Sequence, residues 1–335
     1  MKEKTVKIGM MSFAHMHAFS YATCLKRIPN AEIVGVADGD TARVGEMAKQ
    51  LETKAFKSYG DLLKQDIDAV VICCENIYHR ELTEMAAEAK KHIMCEKPLA
   101  TTIADGRAMI EVCKKNGVQL QTAFPCRYSP AMIEGRKTIR EGGIGQVLAI
   151  KGTNHGMCPG GWFTDTSLSG GGAVIDHTVH VADLMRWTID AEVTEVQAEI
   201  SNLMIHKNFD DTGILSIQFN NGVFATLDCS WSRPPSYSMW GDVAMFVLGS
   251  EGSVNIDELN QKMNVYNDRV MRHTSENWGD NTDLALCKGF VDAIATGSPV
   301  PITGEDGLAA AAVALAAYES AKRAGQVVKM EEIGY

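Results

Sequence analysis

The chain has 335 residues, of which 45% are hydrophobic and 22% are charged, an ordinary composition for a soluble globular protein. Its formal charge is −10, because 42 Asp and Glu residues outnumber 32 Lys and Arg residues. An acidic chain without a block of basic residues argues against nucleic acid or an anionic membrane as a partner, and no apolar run is long enough to span a membrane. The length is sufficient for two domains.

Strand-like and helix-like segments alternate over the first 125 residues. The continuous apolar run at 68–74 is typical of a strand that is buried on both faces. Strands are expected at 6–11, 32–37, 68–74, 92–95 and 119–123, and helices at 18–28, 41–52, 78–91 and 103–116. This rhythm predicts a first α/β domain, residues 1–125, built on a doubly wound parallel sheet.

A different pattern begins after about residue 145. Asn220-Asn221-Gly222 and Ser250-Glu251-Gly252 have the composition of hairpin turns between strand pairs. Strands are expected at 147–152, 193–200, 213–219, 223–230, 243–248, 253–256 and 262–266. The pattern predicts a second domain, residues 126–335, of the α+β class with a large, mostly antiparallel open sheet.

Three helices are expected in this second part, at 173–184, 283–296 and 307–324. Thr282 has the position of an N-cap for the second of them. Thr303 and Asp306 have the spacing of a capping box before the third, and Gly325 closes it.

The turn after the first strand should present backbone N–H groups to a phosphate. It lacks the G-x-G-x-x-G fingerprint, since Ser12, Ala14 and His17 stand at the three glycine positions, with Phe13 and His15 between them. Serine and alanine are small enough for a pyrophosphate to approach, whereas histidine would obstruct helix–strand packing. The alternative is a shorter loop with His17 already inside the helix, and Ser12 to His15 against the cofactor.

Asp38 ends the second strand, where an acidic side chain can bind a ribose diol. The next residues are Gly39 and Asp40 rather than a basic residue, which favours NAD over NADP. The alternative is that these three residues form only a turn and a helix cap. The local sequence supports these two interpretations about equally.

Polar residues also follow the third and fourth main strands, at the sheet edge where such folds bind ligands. Cys74, Asn76 and His79 follow the first of these, and Asn76 could contact a cofactor or cap the next helix. Glu96 and Lys97 follow the second and precede Pro98. Because lysine is rarely buried without a partner, a lysine at this edge is either paired or functional.

Asp176 and His180 lie four residues apart on the helix at 173–184, and therefore on one face. A carboxylate beside an imidazole suits general acid–base chemistry. The alternatives are a metal site formed by Asp176, His177 and His180, or satisfied core histidines, and of these the core is favoured; we expect no metal. The preceding Gly170-Gly171-Gly172 could be a flexible approach to the helix.

Four side chains are weaker candidates for substrate binding: Arg127, His155, Trp162 and His177. Arg127 could instead pair with an acidic group, and a tryptophan packs more often than it binds sugar. The nine cysteines are scattered without a C-x-x-C pair or zinc-finger spacing. They predict reduced thiols in a cytoplasmic protein.

These features together resemble the Gfo/Idh/MocA family, named for glucose–fructose oxidoreductase, inositol dehydrogenase and a rhizopine-catabolism protein. The resemblance extends over almost the whole chain. It is carried by Asp68-Ala69-Val70-Val71-Ile72, Asn76 with His79, Glu96-Lys97-Pro98-Leu99, Gly170-Gly171-Gly172 with Asp176, His180 and Asp183, and Pro301-Ile302-Thr303-Gly304-Glu305-Asp306-Gly307.

The resemblance implies a Rossmann domain, a second domain whose open sheet forms an oligomer interface, and NAD(P)-dependent oxidation or reduction of sugars, polyols or inositols. It implies that Lys97 lies at the substrate and nicotinamide, that Asp176 and His180 complete the catalytic set, and that Glu96 lies near the nicotinamide ribose. A homodimer or homotetramer is expected. His177 replaces a typically apolar residue and could add a polar contact to the substrate.

Two other functions are compatible with the same features. One is a redox-neutral enzyme that processes glycosides with tightly bound NAD, and the other is a non-catalytic sensor of nucleotide or sugar. The altered glycine loop favours a sensor, but Lys97, Asp176 and His180 favour an enzyme, since a binding module has little use for them.

Overall fold

The computed structural model describes residues 4–277 and 279–335, and its first part is a six-stranded parallel sheet in the order β3-β2-β1-β4-β5-β6. The strands are β1 Val6–Met11, β2 Ala31–Ala37, β3 Lys54–Phe56, β4 Ala69–Ile72, β5 His92–Cys95 and β6 Leu120–Thr122, and the helices are α1 His17–Leu25, α2 Thr41–Leu51, α3 Tyr59–Leu63, α4 His79–Glu88 and α5 Ile103–Asn116. The predicted doubly wound sheet is confirmed. The chain reverses its direction of travel across the sheet between β1 and β4, which creates a crevice for ligands.

The second sheet has seven strands in the order β12-β11-β7-β10-β9-β8-β15. Its neighbours pair antiparallel except β10 and β7, so the predicted mostly antiparallel sheet is confirmed. The strands of this part are β7 Val147–Thr153, β8 Val193–Ser201, β9 Thr212–Phe219, β10 Phe224–Asp228, β11 Ala244–Gly249, β12 Ser253–Asp257, β13 Lys262–Asn267, β14 Arg272–Asn277 and β15 Val328–Lys329. The helices are α6 Pro130–Arg140, α7 Thr166–Ser169, α8 Ala173–Ile189, α9 Thr282–Thr296 and α10 Gly304–Lys322.

Three local predictions are corrected by the structure. The segment predicted at 262–266 lies in a separate two-stranded sheet of β13 and β14. Asn281 caps α9 in place of Thr282, because its side chain accepts the Leu284 N–H at 2.8 Å while Thr282 is already helical. Helix α10 begins at Gly304, three residues earlier than predicted, because the capping box of Thr303 and Asp306 places the first helical residue directly after Thr303.

Both faces of the parallel sheet are covered by helices. In β4, Val71 packs into a cluster with Tyr21 of α1 and Phe290 of α9, whereas Val70 packs on the opposite face with Met109 of α5. This explains the continuous apolar run of the strand. Helix α9 belongs to the second half of the sequence but packs in this first core, and the domain boundary at 125/126 stays a prediction.

The seven-stranded sheet is covered on one face and open on the other. Leu215, Ile217 and Leu227 are buried with helices α8 and α10. Large apolar side chains also lie on the open face, where their exposed fractions are 42–52%; these are Ile214, Phe224, Phe246 and Leu248. Within the described residues, no helix combines the length and apolar character needed to cross a membrane.

Candidate active site

A cavity of about 310 Å³ lies between the carboxyl edge of the parallel sheet and the second part of the chain. Its wall combines three groups of polar side chains: Lys97, Asp176, His177 and His180; His15 from the loop after β1 with His17 at the start of α1; and His155, Asp242 and Glu258 from the second part of the chain. The sequence predicted the first group at one site, and the structure brings it together there.

Lys97 and Asp176 form a buried ion pair in this cavity. The Lys97 Nζ lies 2.6 Å from Asp176 Oδ1, and the side chains are 5% and 10% exposed. Trp231 Nε1 donates to the second carboxylate oxygen at 3.1 Å. Burial would raise the pKa of Asp176, but the Lys97 ammonium and the neighbouring His177 hold it below its usual value. Asp176 is therefore a carboxylate that fixes the position of the ammonium.

His180 lies one turn after Asp176 on α8 and faces the same cavity. Its Nδ1 is 4.0 Å from the Cys126 Sγ, and the edge of its ring meets Phe124. Burial, reinforced by the Lys97 ammonium, lowers the pKa of His180 well below 6.5. The imidazole is therefore neutral near pH 7 and able to accept a proton.

His177 and His155, two further histidines of the cavity, differ in what they can offer a ligand. His177 Nε2 is 3.3 Å from Asp176 Oδ2, and its Nδ1 is buried without a partner in the described part of the chain. Both ring nitrogens of His155 contact carboxylates: Nε2 lies 3.0 Å from Asp228, and Nδ1 lies 2.7 Å from Asp242. These carboxylates raise the pKa of His155 to about 9. His155 is thus a charged wall group without a free N–H, and its contact with a substrate stays a prediction.

Arg127 lies outside the cavity, which corrects the predicted substrate contact. Its guanidinium donates to both oxygens of Asp183, at 2.7 and 2.5 Å, and lies 3.0 Å from Asp306. Asp183 is fully buried and requires a charged partner.

Trp162 packs on the loop after β1, where its indole N–H donates to the Ala14 carbonyl at 3.0 Å. Its contact with a substrate also stays a prediction.

Ser12 adopts the left-handed conformation, with φ of 71°, at the position of the first missing glycine. Its hydroxyl accepts the Ala14 N–H at 3.1 Å, and the Phe13 N–H donates to Asp38 at 2.7 Å. The His15 N–H donates to the Cys73 carbonyl at 3.0 Å. Side chains and strand carbonyls thus hold a turn that glycine would adopt without help. Helix α1 begins at His17, so the shorter loop is the correct alternative.

Asp38 forms an ion pair with Arg43, a basic residue that the sequence analysis did not predict at this position. The Arg43 guanidinium donates to both oxygens of Asp38, at 2.8 and 2.6 Å. The signal was weak, because Arg43 is simply the third residue of α2, whose N-cap is Asp40. Both residues line a crevice of about 660 Å³ with Ser12, Tyr59 and Cys74.

Asn76 and His79 support the structure rather than line either crevice. Asn76 Nδ2 donates to the Ser169 carbonyl at 2.8 Å instead of capping a helix, and its Oδ1 is buried without a partner among residues 4–277 and 279–335. His79 is fully buried, with Nδ1 2.9 Å from the Pro98 carbonyl oxygen. The predicted cofactor contact of His79 is corrected: it braces the segment that carries Lys97.

Glu96 lies beneath the loop after β1, beside two imidazoles. His17 Nδ1 is 3.3 Å from Glu96 Oε1, and ligand atoms of His15, His17 and Glu96 lie within 4.8 Å of one another. The His15 Nδ1 accepts the His17 N–H at 3.1 Å, which leaves the ring proton on Nε2. A metal-binding histidine normally donates its second N–H, so His15 is arranged as a hydrogen-bond donor rather than as a ligand.

The two crevices together fit a dinucleotide. Ser12 lines the crevice at Asp38, and His15 lines the cavity at Lys97, so that the loop after β1 connects them. His15 Nε2 and Glu96 Oε2 are buried polar atoms that lack partners in the described residues. Buried polar groups of this kind require a partner, which a bound ligand can supply.

Comparison with known proteins gives consistent matches. Residues 6–124 match the family described as an oxidoreductase family with an NAD-binding Rossmann fold, and residues 132–255 match the GFO/IDH/MocA C-terminal domain. The myo-inositol 2-dehydrogenase of Thermotoga maritima is 30% identical, over 98% of this chain and 99% of the relative. An uncharacterised oxidoreductase of Bacillus subtilis is 31% identical, over 88% of this chain and 89% of the relative. The crystal structure of a probable dehydrogenase from Thermotoga maritima superposes with a TM-score of 0.86 at 28% identity, covering 98% of this chain and all of that one.

Proposed function

The chain belongs to the Gfo/Idh/MocA family of NAD-binding oxidoreductases, and on that premise we propose that it transfers a hydride between nicotinamide and a carbohydrate or polyol alcohol. The nicotinamide supplies the hydride donor or acceptor when it is bound. The observation that carries the proposal is the shared cavity, in which a buried ammonium and a neutral imidazole face the same space.

Lys97 and His180 divide the chemistry at the hydroxyl group. The Lys97 ammonium, held by Asp176 at 2.6 Å, donates to the substrate oxygen and stabilises the negative charge that develops there. His180 is neutral, because burial lowers its pKa, and accepts the hydroxyl proton. In the direction of reduction, His180 returns that proton. Asp176 acts through Lys97 as a positioning residue.

The working cofactor under this proposal is NAD rather than NADP. Asp38 presents a carboxylate where a 2′-phosphate would lie, and like charges repel. Arg43 is paired with that carboxylate, so its guanidinium is not free to bind a 2′-phosphate. The loop of Ser12, Phe13, Ala14 and His15 would follow the pyrophosphate. Cys74 would lie beside the adenosine half, and Glu96 would lie beside the nicotinamide ribose.

Two further features belong to the proposal. The apolar open face of the seven-stranded sheet supports a homodimer or homotetramer, because monomers rarely expose such a surface. The nine cysteines are free thiols, which suits the cytoplasm.

The first experiment follows nicotinamide absorbance with purified protein, NAD and a panel of sugars and inositols. Lys97→Met should lower kcat/KM by roughly 10²–10³-fold or more, because the oxygen loses its charged donor. Lys288→Met on α9 is the control, since that lysine is exposed and paired with Asp292.

Retention of activity by Lys97→Met within ten-fold of the parent would refute the assignment. Turnover with co-purifying NAD and without net NADH would identify the redox-neutral enzyme instead. If calorimetry shows that the protein binds neither NAD nor NADP, the non-catalytic sensor is the hypothesis that remains.

A further inference from the structure

The charged groups around the active-site cavity are paired with one another, with one exception. Lys97 neutralises Asp176 at 2.6 Å, and His155 neutralises Asp242 at 2.7 Å, where Arg233 also contacts the carboxylate. The Glu96 carboxylate lies 3.3 Å from His17. Burial alone would lower the pKa of His17, but Glu96 raises it. The exception is Glu258, which has no ion pair with any described residue.

Glu258 is held in the cavity wall by its backbone. It follows β12 directly, and its N–H donates to the Val243 carbonyl at 2.9 Å. The residue is only 5% exposed, and its Oε2 is buried without a hydrogen bond to the described chain. An uncompensated buried carboxyl is costly, so such a group normally has a charged or hydrogen-bonding partner.

The surroundings of Glu258 add negative charge instead of neutralising it. Burial, followed by the carboxylates of Asp257 and Asp283, raises the pKa of Glu258 to about 7. Burial also raises the pKa of the nearby Cys126 thiol, and a thiol adds no positive charge. None of the described protein groups gives Glu258 a positive partner, and a ligand can supply one.

The chemistry of the wall favours an organic cation over a metal ion. Metal sites need several ligand atoms close together, and the group with that spacing among the described residues, His15, His17 and Glu96, does not include Glu258. Apolar and aromatic side chains also line this cavity, among them Leu259, Val243 and Trp240. One carboxylate set in such a wall suits a substituted ammonium group.

We propose that Glu258 binds a protonated amino group of the substrate, so that the alcohol acted upon belongs to an amino sugar or an amino-substituted polyol. This inference rests on the proposed hydride transfer at the same cavity. Glu258 then acts as a specificity residue for the substrate.

The test compares amino sugars with their hydroxyl parents, beginning with glucosamine and glucose and extending to amino-substituted inositols. Rates are measured by nicotinamide absorbance, and binding is measured by calorimetry on NAD-loaded protein. We expect an amino compound to exceed its parent at least ten-fold in kcat/KM and in affinity. Glu258→Gln should abolish that advantage, so that the amino compound and its hydroxyl parent then differ by less than about three-fold.

Glu251→Gln is the matched control, because Glu251 is exposed in the turn between β11 and β12 and does not line the cavity. It should leave the discrimination unchanged. Far-ultraviolet circular dichroism and thermal unfolding confirm that each variant is folded, and Glu258→Gln keeps the shape of the side chain.

The outcomes separate this inference from the proposed function. If no compound is oxidised but an amino compound binds preferentially and Glu258→Gln removes the preference, hydride transfer fails while the assignment of Glu258 to the amino group stands. Equal or better binding of hydroxyl parents, or an amino preference that survives in Glu258→Gln, overturns the inference. So does a loss of NAD affinity in Glu258→Gln, since Glu258 would then serve the cofactor.

Discussion

Asp38 shows how one side chain serves several purposes at the nucleotide crevice. Its carboxylate accepts the Phe13 N–H at 2.7 Å and the Asp40 N–H at 2.9 Å, and it also holds the Arg43 guanidinium. The two sequence interpretations of this region are therefore compatible, because Asp40 caps α2 while Asp38 lines the crevice. Cofactor choice at this crevice depends on which group, Asp38 or Arg43, is available to the ribose.

Asp38→Asn should shift the ratio of kcat/KM for NAD to that for NADP at least ten-fold toward NADP. The amide oxygen can still accept the Phe13 N–H, while the loss of charge removes repulsion of a 2′-phosphate and releases Arg43. Steady-state kinetics with both cofactors measure the shift. Asp40→Asn is the control, because it changes a neighbouring carboxylate that makes no ion pair with Arg43. An unchanged ratio in Asp38→Asn would show that this edge does not select the cofactor.

At the scale of the element, the start of helix α8 depends on close packing. Asp210 accepts the Gly172 N–H and the Val174 N–H, each at 2.8 Å, and Tyr318 donates to the same carboxylate at 2.9 Å. A Cβ on Gly172 would lie 2.0 Å from the Asp210 carbonyl oxygen, and one on Gly171 would lie 2.1 Å from the Tyr318 hydroxyl. The three glycines are therefore a tightly packed entry to the helix that carries Asp176 and His180, and not a flexible approach to it.

Gly172→Ala should lower the free energy of unfolding by about 1–3 kcal/mol, the usual cost of overpacking a rigid site. It should also reduce kcat/KM, because Asp176 lies four residues further along the displaced helix. Urea denaturation and steady-state rates provide the two measurements.

Gly45→Ala in α2 is the matched control, since nothing lies within 4 Å of the added Cβ. There the same substitution should stabilise the protein by roughly 0.5–1 kcal/mol, because alanine favours the helix. Equal stability of Gly172→Ala and the parent would contradict the packing described here.

At the scale of the whole molecule, the described residues leave one face of the seven-stranded sheet uncovered. Phe224 and Phe246 lie on strands β10 and β11 of the seven-stranded sheet, and their exposed fractions are 52% and 42%. The strands place them on either side of β7, on the face away from α8 and α10. An apolar sheet face of this kind is best covered by a second copy of the chain.

Phe224→Glu combined with Phe246→Glu should raise the dissociation constant of the homo-oligomer at least ten-fold, because charges cannot be buried in an apolar interface without a partner. Light scattering coupled to size-exclusion chromatography measures the mass. Leu203→Glu, which is 70% exposed in the connection between β8 and β9, is the control and should leave the mass unchanged. A parent protein that elutes as a monomer at micromolar concentration would refute the proposed assembly.

The sequence by itself determined the alternation of strands and helices in the first part, the two types of sheet and the common face of Asp176 and His180. Only the family resemblance grouped Lys97 with them, and six helices and strands of the described residues were not predicted: β3, α3, α6, α7, β14 and β15. Strand and helix periods, hairpin turns and capping pairs are local signals, and residues at the carboxyl ends of parallel strands share one edge of the sheet. The i, i+4 spacing on α8 was enough to place Asp176 and His180 on one face. These features could be predicted because neighbours along the chain decide them.

The tertiary structure alone decided which polar groups are already paired. It paired Arg127 with Asp183 and Arg43 with Asp38, and it buried His79 against Pro98. Among the described residues, it gave Glu258 no counter-ion. Each outcome depends on residues distant in sequence, since the charge state and availability of a buried group are set by whatever the fold brings within a few ångströms of it.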